Sequence, residues 1–165
     1  MKKLLLLLSI PLFISSGHIN TIGERPPIVE LHDIEPLPTI LHDSTNPLIN
    51  ALIYVESHGQ DSAIGDTHLE KPSIGALQIR PIMVREANRI LKIQGLPKQF
   101  KLKDRFNRQK SIDMFIVWKN FHHKDHSDEV TSRCWNGGPR GWKNKRTLKY
   151  WVKVQNQLEK LNSNS

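Results

Sequence analysis

Between residues 46 and 161 the apolar positions recur at helical rather than strand spacing, in successive stretches separated by turn residues. In TNPLINALIYVESHG, Leu48, Leu52 and Val55 fall on one stripe with Ile49 and Ile53 beside it, an apolar surface wide enough for a central helix. Asn46 supplies an N-cap, Pro47 takes the first helical position and Gly59 can close the far end. RPIMVREANRILKIQG reads as an amphipathic helix, with Pro81 near its start and Gly95 after its end. NRQKSIDMFIVWKNFHHK places Ile112, Phe115, Ile116, Trp118 and Phe121 on one broad face. Ser127 can cap a short helix through about Trp135, stopped by Gly137, Gly138 and Pro139, and RTLKYWVKVQNQLEKL is the last helix. Residues 60–80 break the pattern: Gly65, Asp66, Pro72 and Gly75 punctuate them, and a loop or short hairpin fits. The expected fold is mostly α, a domain over 46–162 of about five helices with one irregular insertion.

The amino-terminal end has a different pattern. MKKLLLLLSIPLFISSG carries two lysines, an apolar run and then small residues, the layout of a secretory signal peptide over residues 1–17. The run is short for a membrane span and Pro11 interrupts it, so the expectation is cleavage near Ser16–His18 and no stable membrane span. This places the protein in the periplasm or outside the cell. Residues 18–45 hold four prolines without sustained periodicity and read as an extended spacer. Loss of Lys2 and Lys3 takes the formal charge from +8 to +6. The chain stays basic, most of all at 139–160, where seven Lys or Arg face one acid. For an exported protein the polyanions met are cell-wall polymers rather than nucleic acid, and the charge serves attraction to a surface. Cys134 is the sole cysteine, so no intramolecular disulfide can form and stability rests on the apolar core.

One charged residue sits oddly in this pattern. Glu56 follows LINALIYV, at the end of the most apolar helix. Desolvation against apolar neighbours raises a carboxyl's pKa, and that is what a general acid working near neutral pH requires. Two further segments carry chemistry: SIGALQI at 73–79, before a helix, and CWNGGP at 134–139, at a helix end. In order these read Glu56–Ser57, Gly75–Ala76–Leu77–Gln78, Cys134–Trp135–Asn136–Gly137–Gly138, and Tyr150 within TLKYWVKV. The set resembles the soluble lytic transglycosylases of the lysozyme-like superfamily, which carry Glu-Ser, Gly-Leu-Met-Gln, Ala-Tyr-Asn-x-Gly and a tyrosine in a final helix. The resemblance spans about residues 46–156. Ala76–Leu77 stand where that family has Leu-Met, Cys134–Trp135 stand where it has Ala-Tyr, and the interval from Glu56 to Gly75 is longer.

The resemblance implies a lysozyme-like fold and cleavage of the MurNAc-GlcNAc β-1,4 bond in peptidoglycan glycan strands. It implies that Glu56 first protonates the leaving oxygen and then acts as base while the muramic acid's own 6-hydroxyl attacks, giving a 1,6-anhydro end. Such a route needs neither a second carboxylate nor a cofactor or metal. Gln78 and Asn136 would offer amides to the sugars; Gly75, Gly137 and Gly138 would let backbone approach the glycan. Tyr150 would orient Glu56, with Ser57 assisting or merely finishing the helix, and Trp135 would be either a sugar platform or core. Hydrolysis instead needs a carboxylate to activate water, for which Asp66 and Glu70 in the long interval are candidates, as are Asp61 and Asp104. A non-catalytic cell-wall binding module is the reading from another class. His122 and His126 stand at i,i+4, but no Glu lies between them as in a zinc-protease helix, and the segment reads as a polar helix exit.

Overall fold

The computed structural model describes residues 46–163; the leader at 1–17 and the spacer at 18–45 lie outside the described residues. Helix α1 runs Pro47–Ser57 and is followed by a hairpin of β1, Ile64–Gly65, and β2, Ser73–Ile74. Then come α2 at Pro81–Ile93, a 3-10 turn at Leu102–Phe106, α3 at Arg108–His122 and α4 at Asp128–Gly137. Two 3-10 turns, Gly141–Lys143 and Lys145–Thr147, lead into α5 at Leu148–Ser163. The fold is mostly α, with five helices and one small hairpin among the described residues.

Local chemistry explains the boundaries. The Asn46 side chain accepts from the Leu48 N–H at 3.0 Å, so α1 starts as its sequence requires. Its far end differs from expectation: His58, not Gly59, is the capping residue, in the left-handed region at φ +53°. Its N–H reaches Tyr54 O at 2.9 Å, satisfying a terminal carbonyl. Ser127 caps α4 as expected, but that helix continues past Trp135 to Gly137 and takes Asn136 into its last turn. The start of α5 falls at Leu148 because Asn144 accepts from the Arg146 N–H at 3.0 Å and holds the preceding residues in a 3-10 turn.

Helix α1 is the centre of the core. Leu48, Ile49, Ala51, Leu52 and Ile53 are all buried, and α5 packs along the helix. Helix α2 packs on α3, which contributes Ile112, Met114, Phe115 and Trp118. The inward face of α3 is narrower than its apolar pattern suggests: Phe121 is exposed and Ile116 only partly covered. Each fully buried large side chain stabilises the fold by about 1.5–3 kcal/mol relative to exposure.

Candidate active site

Glu56 is the penultimate residue of α1, one position beyond the run that fills the core. The Tyr150 hydroxyl, from the first turn of α5, donates to its Oε1 at 2.7 Å. Burial pushes the Glu56 carboxyl up from its ordinary 4.5 to about 7; the Tyr150 hydrogen bond opposes this, the negative charge of Asp66 adds to it, and a hydrogen bond from the Trp135 side chain opposes it again. Desolvation therefore outweighs both hydrogen bonds. Burial and the neighbouring Glu56 charge push the Tyr150 phenol far above its usual range, so Tyr150 stays a donor. Four elements thus meet around one carboxyl: α1, the hairpin, the last turn of α4 and the start of α5.

Trp135 reaches this point from a stack of aromatic side chains. Its ring lies 5.0 Å from Phe115 and 5.2 Å from Trp118, both edge-on. Such pairs fix a ring's orientation and add about 0.5–1.5 kcal/mol beyond area burial. Trp135 is partly buried, with its body in the core and its edge at Glu56. Asn136 and Gly137, next in the same helical turn, are exposed. A Cβ on Gly137 would come within 2.6 Å of Thr147 Cγ2, so this glycine makes room for the turn before α5.

The second group of motif residues builds a turn. Ile74 and Ile79 exchange backbone hydrogen bonds at 3.1 and 2.8 Å, closing the chain between them into a tight loop. Gln78 in that loop takes φ +46° and spends both amide N–H groups on protein, to Gly75 O at 2.9 Å and Ala63 O at 3.3 Å. Its Oε1 accepts from Ser73 Oγ at 2.9 Å. This bond set ties the loop to the hairpin. Gly75 makes room within the protein for this turn. It sits at φ +82°, and a Cβ there would lie 1.8 Å from Arg105 O. Ser57 finishes the helix and also pins the loop, its hydroxyl lying 2.9 Å from Ala76 O and 3.1 Å from Ile53 O.

Two residues that motif reading passed over complete this support. Arg105 is buried with no carboxylate partner among the described residues; its guanidinium donates to Leu102 O at 2.8 Å and to Pro72 O and Ile79 O at 3.2 Å each. In the sequence it is one cation of KLKDRFNRQK, with nothing to set it apart from its neighbours. Gly65 leaves the space that Gln78 fills: a Cβ there would stand 2.1 Å from Gln78 Oε1.

Of the four candidate second carboxylates, Asp66 alone has a charge that acts on Glu56. It takes φ +50° at the end of β1 and is exposed. Asp61 pairs with Arg108 at 2.9 Å. Asp104 is buried and accepts from the Lys101 N–H at 2.8 Å and Lys110 Nζ at 3.2 Å, capping the 3-10 turn. Glu70 is exposed in the hairpin connection. The histidines lie elsewhere: His122 Nε2 is 2.7 Å from Glu86 Oε1, and His123 is buried against Trp118, where burial lowers its pKa to about 4. Among the described residues no group of three or more His, Cys, Asp or Glu is arranged to hold a metal ion.

The arrangement can hold a proton on a partly desolvated carboxyl at neutral pH and release it to a basic oxygen. Comparison with known proteins adds no assignment: no family model matches the chain, and no curated protein matches it.

Proposed function

We propose that this protein cleaves the glycan strands of peptidoglycan as a lytic transglycosylase, with Glu56 as general acid and then general base. The observation that carries the reading is the Glu56 carboxyl itself, raised to about 7 by burial and held at 2.7 Å by the Tyr150 hydroxyl. Tyr150 donates to Oε1 and Trp135 also donates to the carboxyl, which fixes its orientation. Glu56 gives its proton to the glycosidic oxygen as the C1–O bond breaks and the sugar becomes oxocarbenium-like. The carboxylate then takes the proton of the muramic acid 6-hydroxyl as that oxygen bonds to C1. The products are a new 4-hydroxyl and a 1,6-anhydro ring, and Glu56 returns protonated. The motif resemblance supports the substrate class, and the leader sequence supports delivery to the wall.

One observation favours a second reading. Asp66 is close enough to influence Glu56 electrostatically, and a carboxylate across the bond from the acid activates water in inverting glycosidases. The protein would then be a hydrolase.

Digestion of purified peptidoglycan by the protein and by Glu56→Gln, with released muropeptides read by mass spectrometry, separates these. Anhydro-muramic ends from the wild type only are the expected result. Reducing ends, lost in Asp66→Asn, would make the protein a hydrolase. No release by either protein, with binding to the wall retained, would overturn the enzyme reading in favour of a binding module.

A further inference from the structure

A concavity of about 170 Å³ opens at the start of α2, lined by Lys71, Arg80, Pro81, Ile82 and Arg85. Three of its five lining residues are cations. None of the three side chains has an ion-pair or hydrogen-bond partner among the described residues. Four other arginines of the fold are engaged: Arg89 with Glu86, Arg108 with Asp61, Arg133 with Glu129, and Arg105 with three carbonyls. Glu70 is exposed next to Lys71 in the chain and pairs with none of the lining cations. Gathering three like charges around one hollow costs repulsion, which an anionic occupant relieves. The hollow is also partly apolar, since Ile82 is 62% exposed at its edge. It suits a ligand that presents carboxylates beside small apolar groups rather than a bare anion.

The hairpin connection links it along the chain to the acid that acts on Glu56. The pairing of Ile64 with Ile74 and Gly65 with Ser73 makes residues 66–72 the hairpin connection. Asp66, the residue that acts on Glu56, opens that connection, and Lys71 stands near its close. A pocket residue and the acid that acts on Glu56 therefore share one short connection. A muramic acid in position for cleavage carries its peptide stem on the lactyl group, and four extended residues reach at most about 14 Å.

We infer that the Lys71–Arg80–Arg85 pocket binds the carboxylates of the peptide stem, and so directs the protein to stem-bearing glycan rather than to stripped strands. The inference rests on the proposed function for the ligand's identity, but its test does not depend on cleavage. The isotope-labelled protein is titrated with free acidic stem tetrapeptide and followed by NMR. The expected result is saturable shifts centred on Lys71 and on Arg80–Arg85, weakened at least tenfold in Arg80→Ala/Arg85→Ala. That double variant changes two exposed side chains, and its melting temperature reports that it still folds. The same peptide with amidated carboxylates is expected to lose the response. Equal binding of the amidated peptide, or unchanged affinity in the double variant, overturns the inference. So does inorganic phosphate binding as tightly as the peptide, which would leave an anion site only. A second readout compares KM on stem-bearing and amidase-stripped glycan, where the double variant raises KM for the former alone. Peptide binding without glycan products would sink the enzyme reading and spare the pocket; products without peptide binding would do the reverse.

Discussion

At the scale of single residues, Glu56 combines two demands that oppose each other. It must lie among apolar neighbours to keep its proton, and an ionised carboxylate there is costly. Its pKa is about 7 when folded and ordinarily 4.5, so the folded state binds more protons than the unfolded state between those values. The stability it contributes is fully present below pH 4.5 and is lost as pH rises through 7. The loss amounts to roughly 3 kcal/mol at most, at about 1.4 kcal/mol per pH unit. Glu56→Gln removes this titration, so the variant should be more stable than wild type at pH 8 and show a smaller difference at pH 4.5; chemical denaturation at both pH values checks this. A variant less stable at pH 8 than at pH 4.5, relative to wild type, contradicts a raised pKa. Tyr150 acts in the other sense. Its hydrogen bond favours the ionised form, so Tyr150→Phe should push the Glu56 pKa higher and move the alkaline limb of cleavage to higher pH while lowering the rate. A limb that stays near 7 would show that the hydroxyl does not govern the acid.

At the scale of elements, the hairpin is the part least able to stand alone. Its strands are two residues each, and an isolated two-stranded hairpin is marginal in water. Side chains from outside hold it: Ser57 from α1 on Ala76 O, Arg105 on Pro72 O and Ile79 O, and Gln78 from the neighbouring loop on Ala63 O. Arg105→Ala leaves three carbonyls without this partner and should cost about 2–3 kcal/mol. Gly75→Ala meets both a positive φ and the backbone of Arg105, and should cost at least as much. Thermal melts measure both. Because the hairpin carries Asp66, hydrogen exchange at residues 61–79 should rise in Arg105→Ala before it rises in α1. Uniform exchange throughout would show that the hairpin and the helices unfold together.

At the scale of the whole molecule, the first described helix packs along the last, so the site closes only when the two ends of the described region meet. Glu56 and Tyr150 are 94 residues apart in sequence. The basic balance acts at this scale too. On the proposed function, attraction of this basic chain to an acidic wall is screened by salt, so binding of Glu56→Gln to sacculi should fall several-fold between about 0.05 and about 0.5 M salt. Salt-insensitive binding would place recognition in apolar contacts instead. The apolar periodicity by itself determined five helices, most of their caps and the burial of α1, because these depend on local chemistry and on which face must leave water. It also singled out Glu56, since a carboxylate ending an apolar run is a visible exception. The roles of Gln78, Gly75 and Arg105 were decided by tertiary structure. An amide, a glycine and a surface-like arginine have the same sequence signature whether their partner is a ligand or a distant carbonyl. Only the folded chain brings Ala63, Pro72 and the backbone of Arg105 to those side chains. The same holds for the separation of Asp66 from Asp61 and Asp104: four acids look alike in the sequence, and the fold leaves one of them acting on Glu56 while Arg108 and Lys110 take up the other two.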